Sequence, residues 1–202
     1  MAGVAEIHTQ ATLTPSKLEV MRAWLPGEPW FSGDASDLAV VGQFRFVDPE
    51  GAVGVQVMLV TSGGVLYQVP LTYRDAPLEG GEEALIGTMD HSVLGTRWTY
   101  DAVADPVFQN ELLRTIVEAD TGAAVSAGAS APTPVHGTGA DGVELAPGER
   151  HGDDLISYGS YTIHVPRHPD DAEPIGALGV LTAELTLDGE DLTLVLAELR
   201  SA

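Results

Sequence analysis

Cysteine is absent from the 202 residues of this chain, and basic residues are scarce. The lack of thiols excludes disulfides, thiolate catalysis and cysteine-based zinc sites, and it favours a cytoplasmic location. Nine residues are Lys or Arg against 30 Asp or Glu, which gives a formal net charge of −21. A surface this acidic repels phosphate backbones and anionic lipid, so we expect neither nucleic acid nor a membrane as a partner.

Long apolar runs are also missing. No stretch approaches the ~20 residues that a membrane-spanning helix needs. The first ten residues lack a basic region followed by an apolar one, so we expect no signal peptide. Apolar residues nevertheless make up 44% of the chain, which is enough for a packed core rather than wholesale disorder.

The spacing of the apolar residues predicts an α+β fold. One helix is predicted to be capped by Thr14 and to begin at Pro15, and another to begin at Asp105-Pro106. Alternating segments joined by tight turns predict an antiparallel sheet, with the strand that contains Pro70 at an edge or carrying a bulge. The predicted strands are residues 38–47, 53–61, 65–73, 91–101, 155–165, 177–187 and 192–200, with residues 75–90 as an irregular connection.

Composition divides the chain into three parts. Residues 1–119 hold most of the predicted elements, and residues 120–154 are rich in Ala, Gly and Pro, which is typical of a flexible linker or long loop. Residues 155–202 supply C-terminal strands. Because three strands alone make a marginal core, we expect them to extend the first sheet and complete the same domain.

The segment from Arg150 to Leu155 reads RHGDDL, and His-Gly-Asp opens the catalytic loop of kinases that phosphorylate aminoglycosides and small sugars. The rest of such a site is missing. There is no GxGxxG, Tyr158 stands where the loop needs Asn or Gln, and the single lysine, Lys17, falls in a predicted helix rather than a strand. We therefore expect a non-enzyme with no catalytic residue and no cofactor.

The six histidines do not predict a metal site. His164 and His168 are four residues apart, but Pro166 between them prevents a shared helix face, and HExxH is absent. No set of nucleophile, base and orienting residue can be assembled either, so an enzyme of unknown type is only a remote alternative.

A candidate ligand site lies in the segment from Met89 to Trp98. Asp90, Arg97 and Trp98 supply a carboxylate, a cation and an aromatic face, and Arg74 could hold a phosphate. These groups together suit a sugar or sugar phosphate as the ligand. On one strand Asp90 and Trp98 would share a side while Arg97 faced the other. The alternative is that Trp98 is a core residue and Arg97 a surface ion pair.

Several short motifs recur in a characteristic order and spacing: Lys17-Leu18, Trp24-Leu25, Trp30-Phe31-x-Gly33, Tyr67-Gln68-Val69, Leu85-Ile86-Gly87 and Tyr100-Asp101-Ala102. Together they resemble the N-terminal cap domain of maltokinases, which are actinobacterial kinases that make maltose 1-phosphate, with Pro29 replacing a basic residue. The resemblance covers roughly residues 7–118. The chain as a whole also resembles a family of short stand-alone cap-like proteins that are often named after glucan branching.

The resemblance implies a curved, cystatin-like antiparallel sheet that holds a helix, with Trp24, Trp30 and Phe31 as structural anchors. No kinase lobes are expected, so no catalytic residue can be carried over. We therefore expect a non-catalytic binding or regulatory module whose partner is an enzyme of glycogen, maltose or trehalose metabolism. A binding protein for a sugar or sugar phosphate is the alternative.

Overall fold

The computed structural model describes residues 4–5, 11–125 and 131–202. Two six-stranded antiparallel sheets and two α-helices make up most of this part of the chain. The helices are α1 (Lys17–Trp24) and α2 (Pro106–Val117), and the strands are β1 (Val4–Ala5), β2 (Leu13–Thr14), β3 (Ala39–Val47), β4 (Gly54–Ser62), β5 (Val65–Arg74), β6 (Leu85–His91), β7 (Gly95–Asp101), β8 (Ala124–Val125), β9 (Val135–Gly137), β10 (Glu149–His151), β11 (Leu155–Tyr158), β12 (Tyr161–His164), β13 (Gly179–Leu187) and β14 (Glu190–Ser201).

The first sheet has the strand order β2-β6-β7-β5-β4-β3 and is curved. On one face it carries α1 and a small core that includes Met21, Met58 and Tyr67. Its other face packs against the second sheet, β10-β11-β12-β14-β13-β9, and α2 through a larger core. Strands β1 and β8 form a separate parallel pair. The predicted α+β fold with a curved antiparallel sheet is confirmed.

The start of α1 differs from the prediction. Ser16, not Thr14, is the N-cap: its hydroxyl accepts the Glu19 N–H, and the Glu19 carboxylate accepts the Ser16 N–H. This reciprocal pair satisfies two helix-end donors, and Thr14 instead pairs with Asp90 in the sheet. Pro15 therefore precedes the helix.

The predicted start of α2 is confirmed, and two of the strand connections are tight turns, as the alternating segments predicted. Asp105 caps α2 by accepting the Val107 N–H, and Pro106 is the first helical residue. The β4–β5 turn places Gly63 and Gly64 at positive φ, and the β13–β14 turn does the same at Asp188-Gly189. These backbone angles suit the right-handed twist of two-residue hairpins.

Pro70 lies at a local edge within an otherwise internal strand. Strand β5 pairs with β4 from Val65 to Tyr73, whereas its pairing with β7 begins only at Leu71. The Gln68 N–H, two residues earlier, points away from β4 to the Arg167 carbonyl. By the same alternation the nitrogen of Pro70 faces the side where β7 has ended, so no ladder bond is lost.

Two predicted strands contain turns. Of the predicted strand at residues 91–101, residues 95–101 form β7, but β6 begins earlier, within the stretch predicted as irregular, and a turn with Gly95 at φ 75° joins the two strands. The predicted strand at residues 155–165 is likewise divided, into β11 and β12, at Gly159 with φ 66°. A left-handed glycine ends the first turn and another opens the second.

Residues 155–200 do not extend the first sheet, contrary to expectation. They form the second sheet, which also takes in β9 and β10 from the segment 120–154 that composition predicted as a linker or loop. Residues 126–130 of that segment lie outside the described residues. The second sheet gains enough core because its apolar face packs on the first; the shared core includes Phe44, Leu59, Phe108, Ile156, Leu181 and Leu196.

A polar contact also joins the sheets. The buried Arg167 guanidinium donates to the Asp101 carboxylate at 2.6 Å and lies 4.8 Å from the Trp30 ring centroid. Arg150 lies 3.9 Å from the same carboxylate and 3.4 Å from Asp153. The RHGDDL segment is thus the end of β10 and the turn into β11, with an arginine that contributes to the junction.

Candidate functional site

Some of the nine basic residues form ion pairs with carboxylates, and the others have no carboxylate partner in the described part of the chain. Five arginines lie within ion-pair distance of a carboxylate: Arg74, Arg114, Arg150, Arg167 and Arg200. Four basic residues have no such partner in the described ranges: Lys17, Arg22, Arg45 and Arg97. Three of these four, all except Arg22, line one cavity.

This cationic cavity has a volume of about 560 Å³, within the usual range for small-molecule sites. Lys17, the first residue of α1, lies in its wall together with residues of the first sheet. Its three cations come from three elements: α1, β3 and β7. Other lining residues are Leu13, Phe46, Val47, Asp48, Val53, Val55, Tyr73, Asp75, Met89, His91 and Leu94.

The alternation of β3 explains how Arg45 reaches the cavity. Phe44 and Phe46 belong to the core between the sheets. Gln43 and Arg45 therefore face the opposite side, where Arg45 lies opposite Gln56 of β4. Two neighbouring strands thus place long polar side chains on a face that is otherwise covered by apolar residues and α1.

The side-chain oxygen of Gln56 is the centre of a polar network, and three donors share it as an acceptor. It accepts from Lys17 Nζ and from Arg45 Nη2 at 3.0 Å, with Tyr73 Oη at 3.4 Å. A carbonyl oxygen has two lone pairs for these three donors. Gln56 is only 1% exposed. The network therefore has more donors than acceptors, and two of the donors are cations.

Electrostatics in the cavity disfavour the charged lysine. Burial, and then the neighbouring Arg45 cation, lower the pKa of Lys17 from 10.5 to about 7. Its ammonium lies 4.7 Å from the centroid of the Tyr73 ring. Burial also raises the pKa of Tyr73 and lowers the pKa of Arg45. Lys17 thus titrates near neutral pH.

Arg97 adds a further unused donor. Its Nη2 donates to the Leu94 carbonyl at 2.8 Å, whereas its buried Nε has no hydrogen-bond partner. Two carboxylates also line the cavity. That of Asp48 already accepts three backbone N–H groups in its own turn, and Asp75 is exposed to solvent. Neither carboxylate pairs with a cavity cation in the described part of the chain.

The structure places the four residues of the predicted ligand site on two faces of the first sheet, with Arg97 on one and Asp90, Trp98 and Arg74 on the other. The β6–β7 register places Arg97 opposite Met89 on the cavity face, together with His91. Asp90 lies on the opposite face, where it accepts from Thr96 Oγ1 at 2.9 Å, and Trp98 lies there opposite Thr88. Trp98 is half-buried. Only Arg97 of the predicted set therefore belongs to the cationic cavity.

Arg74 is committed to a structural contact. It lies beside Trp98 in the sheet and donates from Nε and Nη2 to the two oxygens of Asp105, each at 2.7 Å. Asp105 is fully buried and also accepts from Thr72. This bidentate pair connects β5 to the N-terminus of α2, and Arg74 does not line the cationic cavity.

The three predicted anchors all pack on the smaller core, and each remains half-buried. The rings of Trp24 and Trp30 meet edge to face at 5.7 Å between centroids, and Phe31 lies 4.9 Å from Tyr67. The Trp30 indole N–H is buried without a hydrogen-bond partner. These aromatics hold the segment after α1 against the first sheet.

Sequence reasoning missed Lys17, Arg45 and Gln56 as site residues. A usable signal was present: in an acidic chain with nine basic residues, Arg45 interrupts an apolar strand and Gln56 stands within VGVQVMLV. A long polar residue on the inner face of a strand requires a partner, because its burial is otherwise unfavourable. That the single lysine lies beside them depends on how α1 packs.

The lowered pKa of Lys17 predicts a pH-dependent cost in stability. The unfolded chain holds the lysine proton up to about pH 10.5, whereas the folded chain releases it near pH 7. Stability therefore rises with pH between these values. We expect Lys17→Met to gain more stability over the wild type at pH 7 than at pH 9.5, measured by urea unfolding. An equal gain at both values would contradict the lowered pKa.

The described residues form neither a metal site nor a membrane-spanning helix. Among residues 4–5, 11–125 and 131–202, no group of three or more His, Asp or Glu side chains is placed to hold a metal ion. Within those same ranges, neither helix has the length and apolar character required to cross a membrane.

Comparison with known protein families gives one match. Residues 24–105, about two fifths of the chain, match the maltokinase N-terminal cap domain. The match lies inside the range of the predicted resemblance and includes Arg45, Gln56 and Arg97, while Lys17 precedes it. No curated protein matches the chain. The chain therefore contains a maltokinase N-terminal cap-like domain.

Proposed function

We propose that this chain is a non-catalytic binding module whose cationic cavity takes a small anionic carbohydrate, such as a sugar acid or a sugar phosphate. The observation that carries the proposal is the gathering of Lys17, Arg45 and Arg97 in one cavity without carboxylate partners in the described ranges. Cations in a partly buried site need a compensating charge, and an anionic ligand supplies it.

Charge and lining support this class of ligand. A protein with a formal charge of −21 repels anions at long range, so binding one requires a concentrated local patch of positive charge. The same cavity offers apolar wall from Val53, Val55 and Met89 and polar groups from Tyr73 and His91. Apolar walls with a few directed polar groups are usual in small-molecule sites.

The family match supports a non-enzymatic module and a connection to carbohydrate metabolism. The matched family is the cap domain of maltokinase. A shared domain gives the ligand class by analogy only, so the cavity itself must be tested.

A thermal-shift panel tests the proposal. Glucose 1-phosphate and gluconate would be compared with the neutral sugars glucose, maltose and trehalose. A ligand at ~100 times its dissociation constant adds ~2.7 kcal/mol of stability, and each kcal/mol raises the melting temperature of a chain this size by ~2–4 °C. We expect at least one anion to raise the melting temperature by several degrees and the neutral sugars to have no effect.

The variant Arg45→Met tests whether the anion binds in the cationic cavity. Removing a charge-assisted hydrogen bond of about 1.5–3 kcal/mol is expected to weaken anion binding roughly 10- to 100-fold. The matched control is Arg200→Met, which changes the net charge equally but lies outside the cavity, paired with Glu198. Equal weakening in both variants would indicate a general charge effect and would contradict the site. If no anion shifts the wild type, the proposal fails and co-purification of a carbohydrate-metabolism enzyme becomes the next test.

A further inference from the structure

We propose that the ligand of this cavity carries a phosphate monoester dianion, held by Lys17, Arg45 and Arg97, and that Lys17 gains a proton when the dianion binds. This inference rests on the proposed function and specifies the charged group of the ligand and its coupling to pH. It follows from the number of donors, their separate origins and the position of the lysine amine, which shares the Gln56 acceptor with Arg45.

The number and origin of the donors favour phosphate over carboxylate. A carboxylate has two oxygens in one plane and is satisfied by a single arginine in bidentate contact. Here three cations from α1, β3 and β7 line one cavity. The terminal oxygens of a phosphate monoester point in three directions, so they can accept from donors that approach from different elements.

The existing hydrogen bonds leave donors for such a group. The Gln56 oxygen is shared by Lys17, Arg45 and Tyr73, and the buried Arg97 Nε has no hydrogen-bond partner. Arg45 donates to Gln56 through one of its terminal nitrogens. A tetrahedral anion would relieve the crowding at Gln56.

The charges around Lys17 explain the uptake of a proton. Its ammonium faces Arg45 across Gln56, with Arg97 and His91 elsewhere on the wall, while the Asp48 carboxylate is held by its own turn and Asp75 is in solvent. Burial and Arg45 lower the pKa of Lys17 to about 7, so the neutral amine prevails above that pH. A dianion placed among these cations raises the pKa of Lys17, because an opposite charge within a few ångströms favours the protonated amine.

Isothermal titration calorimetry tests both parts with defined probes. Sulfate serves as a dianion that does not titrate between pH 7 and 9, glucose 1-phosphate as the monoester, gluconate as the carboxylate and glucose as the neutral control. Titrations at pH 8 in two buffers of different ionisation enthalpy measure the protons taken up. We expect sulfate and glucose 1-phosphate to bind more than tenfold more tightly than gluconate, with uptake of a fraction of a proton.

The pH dependence provides the second readout. Sulfate affinity is expected to rise by up to about tenfold per pH unit as the pH falls from 9 to 7, since one proton is bound with the ligand. Lys17→Met should bind sulfate more weakly with a flat pH profile, and Arg200→Met should keep the wild-type slope. Circular dichroism checks the fold of each variant, and proton uptake by the wild type requires no variant.

The outcomes separate the two proposals. Binding of gluconate as tight as that of sulfate would overturn the phosphate assignment and leave the proposed function standing. Dianion binding with no proton uptake, or an unchanged pH slope in Lys17→Met, would overturn the role of Lys17. If none of the anions binds, the proposed function and this inference fail together.

Discussion

Replacing Arg167 by methionine is expected to lower the free energy of unfolding by about 3–5 kcal/mol, because it leaves a buried carboxylate without its main partner. The side chains of Arg167 and Asp101 are only 3% and 5% exposed. The variant also loses the hydrogen bonds from the guanidinium to the Asp153 carbonyl and its stacking on Trp30. Arg150, at 3.9 Å, is too distant to replace the 2.6 Å contact.

Urea unfolding of Arg167→Met beside Arg200→Met measures this effect. Arg200 has 40% of its side chain exposed and pairs with Glu198 at the surface, so its loss is expected to cost less than about 1 kcal/mol. Adding Asp101→Leu to Arg167→Met should recover part of the loss, since no buried charge is then left unpaired. A cost for Arg167→Met no larger than that of the control would show that Asp101 is hydrated.

Gly137→Ala is expected to destabilise the protein by about 3 kcal/mol or more, at the upper end of the cost of overpacking. A Cβ atom at this position would lie 1.9 Å from the Thr115 carbonyl oxygen and 2.9 Å from Ile116 Cα. Both atoms belong to the backbone of α2, which cannot move aside as a side chain can. Strand β9 and the helix would have to separate, and the Gly137 N–H would lose its 2.8 Å bond to Asp120.

The matched control for this prediction is Gly87→Ala in β6. A Cβ atom there would meet only Val20 Cγ1, at an ordinary 3.8 Å, and the position has no positive φ. The expected change is within about 1 kcal/mol, because alanine restricts the unfolded chain without a clash. Thermal and urea unfolding of the two variants check the difference. Equal effects would mean that β9 does not approach α2 as closely as the structure shows.

Local sequence patterns were sufficient for the two helices and for most of the longer strands. The cap and proline at Asp105-Pro106, the two-residue turns at Gly63-Gly64 and Asp188-Gly189, and the alternation of β3, β4 and β5 are each decided by neighbours in the chain. The failures were also local: Gly95 ends one turn and Gly159 opens another within segments whose apolar alternation predicted continuous strands. A glycine within an alternating apolar pattern is compatible with either a continuous strand or a turn.

The grouping of strands into two sheets could not be read from the sequence. Strands β9 and β10 come from a segment of small residues with little apolar signal, and each is only three residues long. Strand β9 is stabilised by a partner distant in sequence, as in the pairing of Val135 with Ala183, whereas β10 forms a local hairpin with β11 at the edge of the second sheet. Short strands of this kind are defined by the sheet that receives them.

The sequence by itself determined an acidic, cysteine-free α+β chain with a maltokinase cap-like region, since composition, periodicity and short motifs are properties of neighbouring residues. Only the tertiary structure decided that three of its nine basic residues line one cavity. Lys17, Arg45 and Arg97 are separated by 28 and 52 positions in the chain, and they meet because α1 packs on one face of a curved sheet whose strands β3 and β7 present their arginines to that same face.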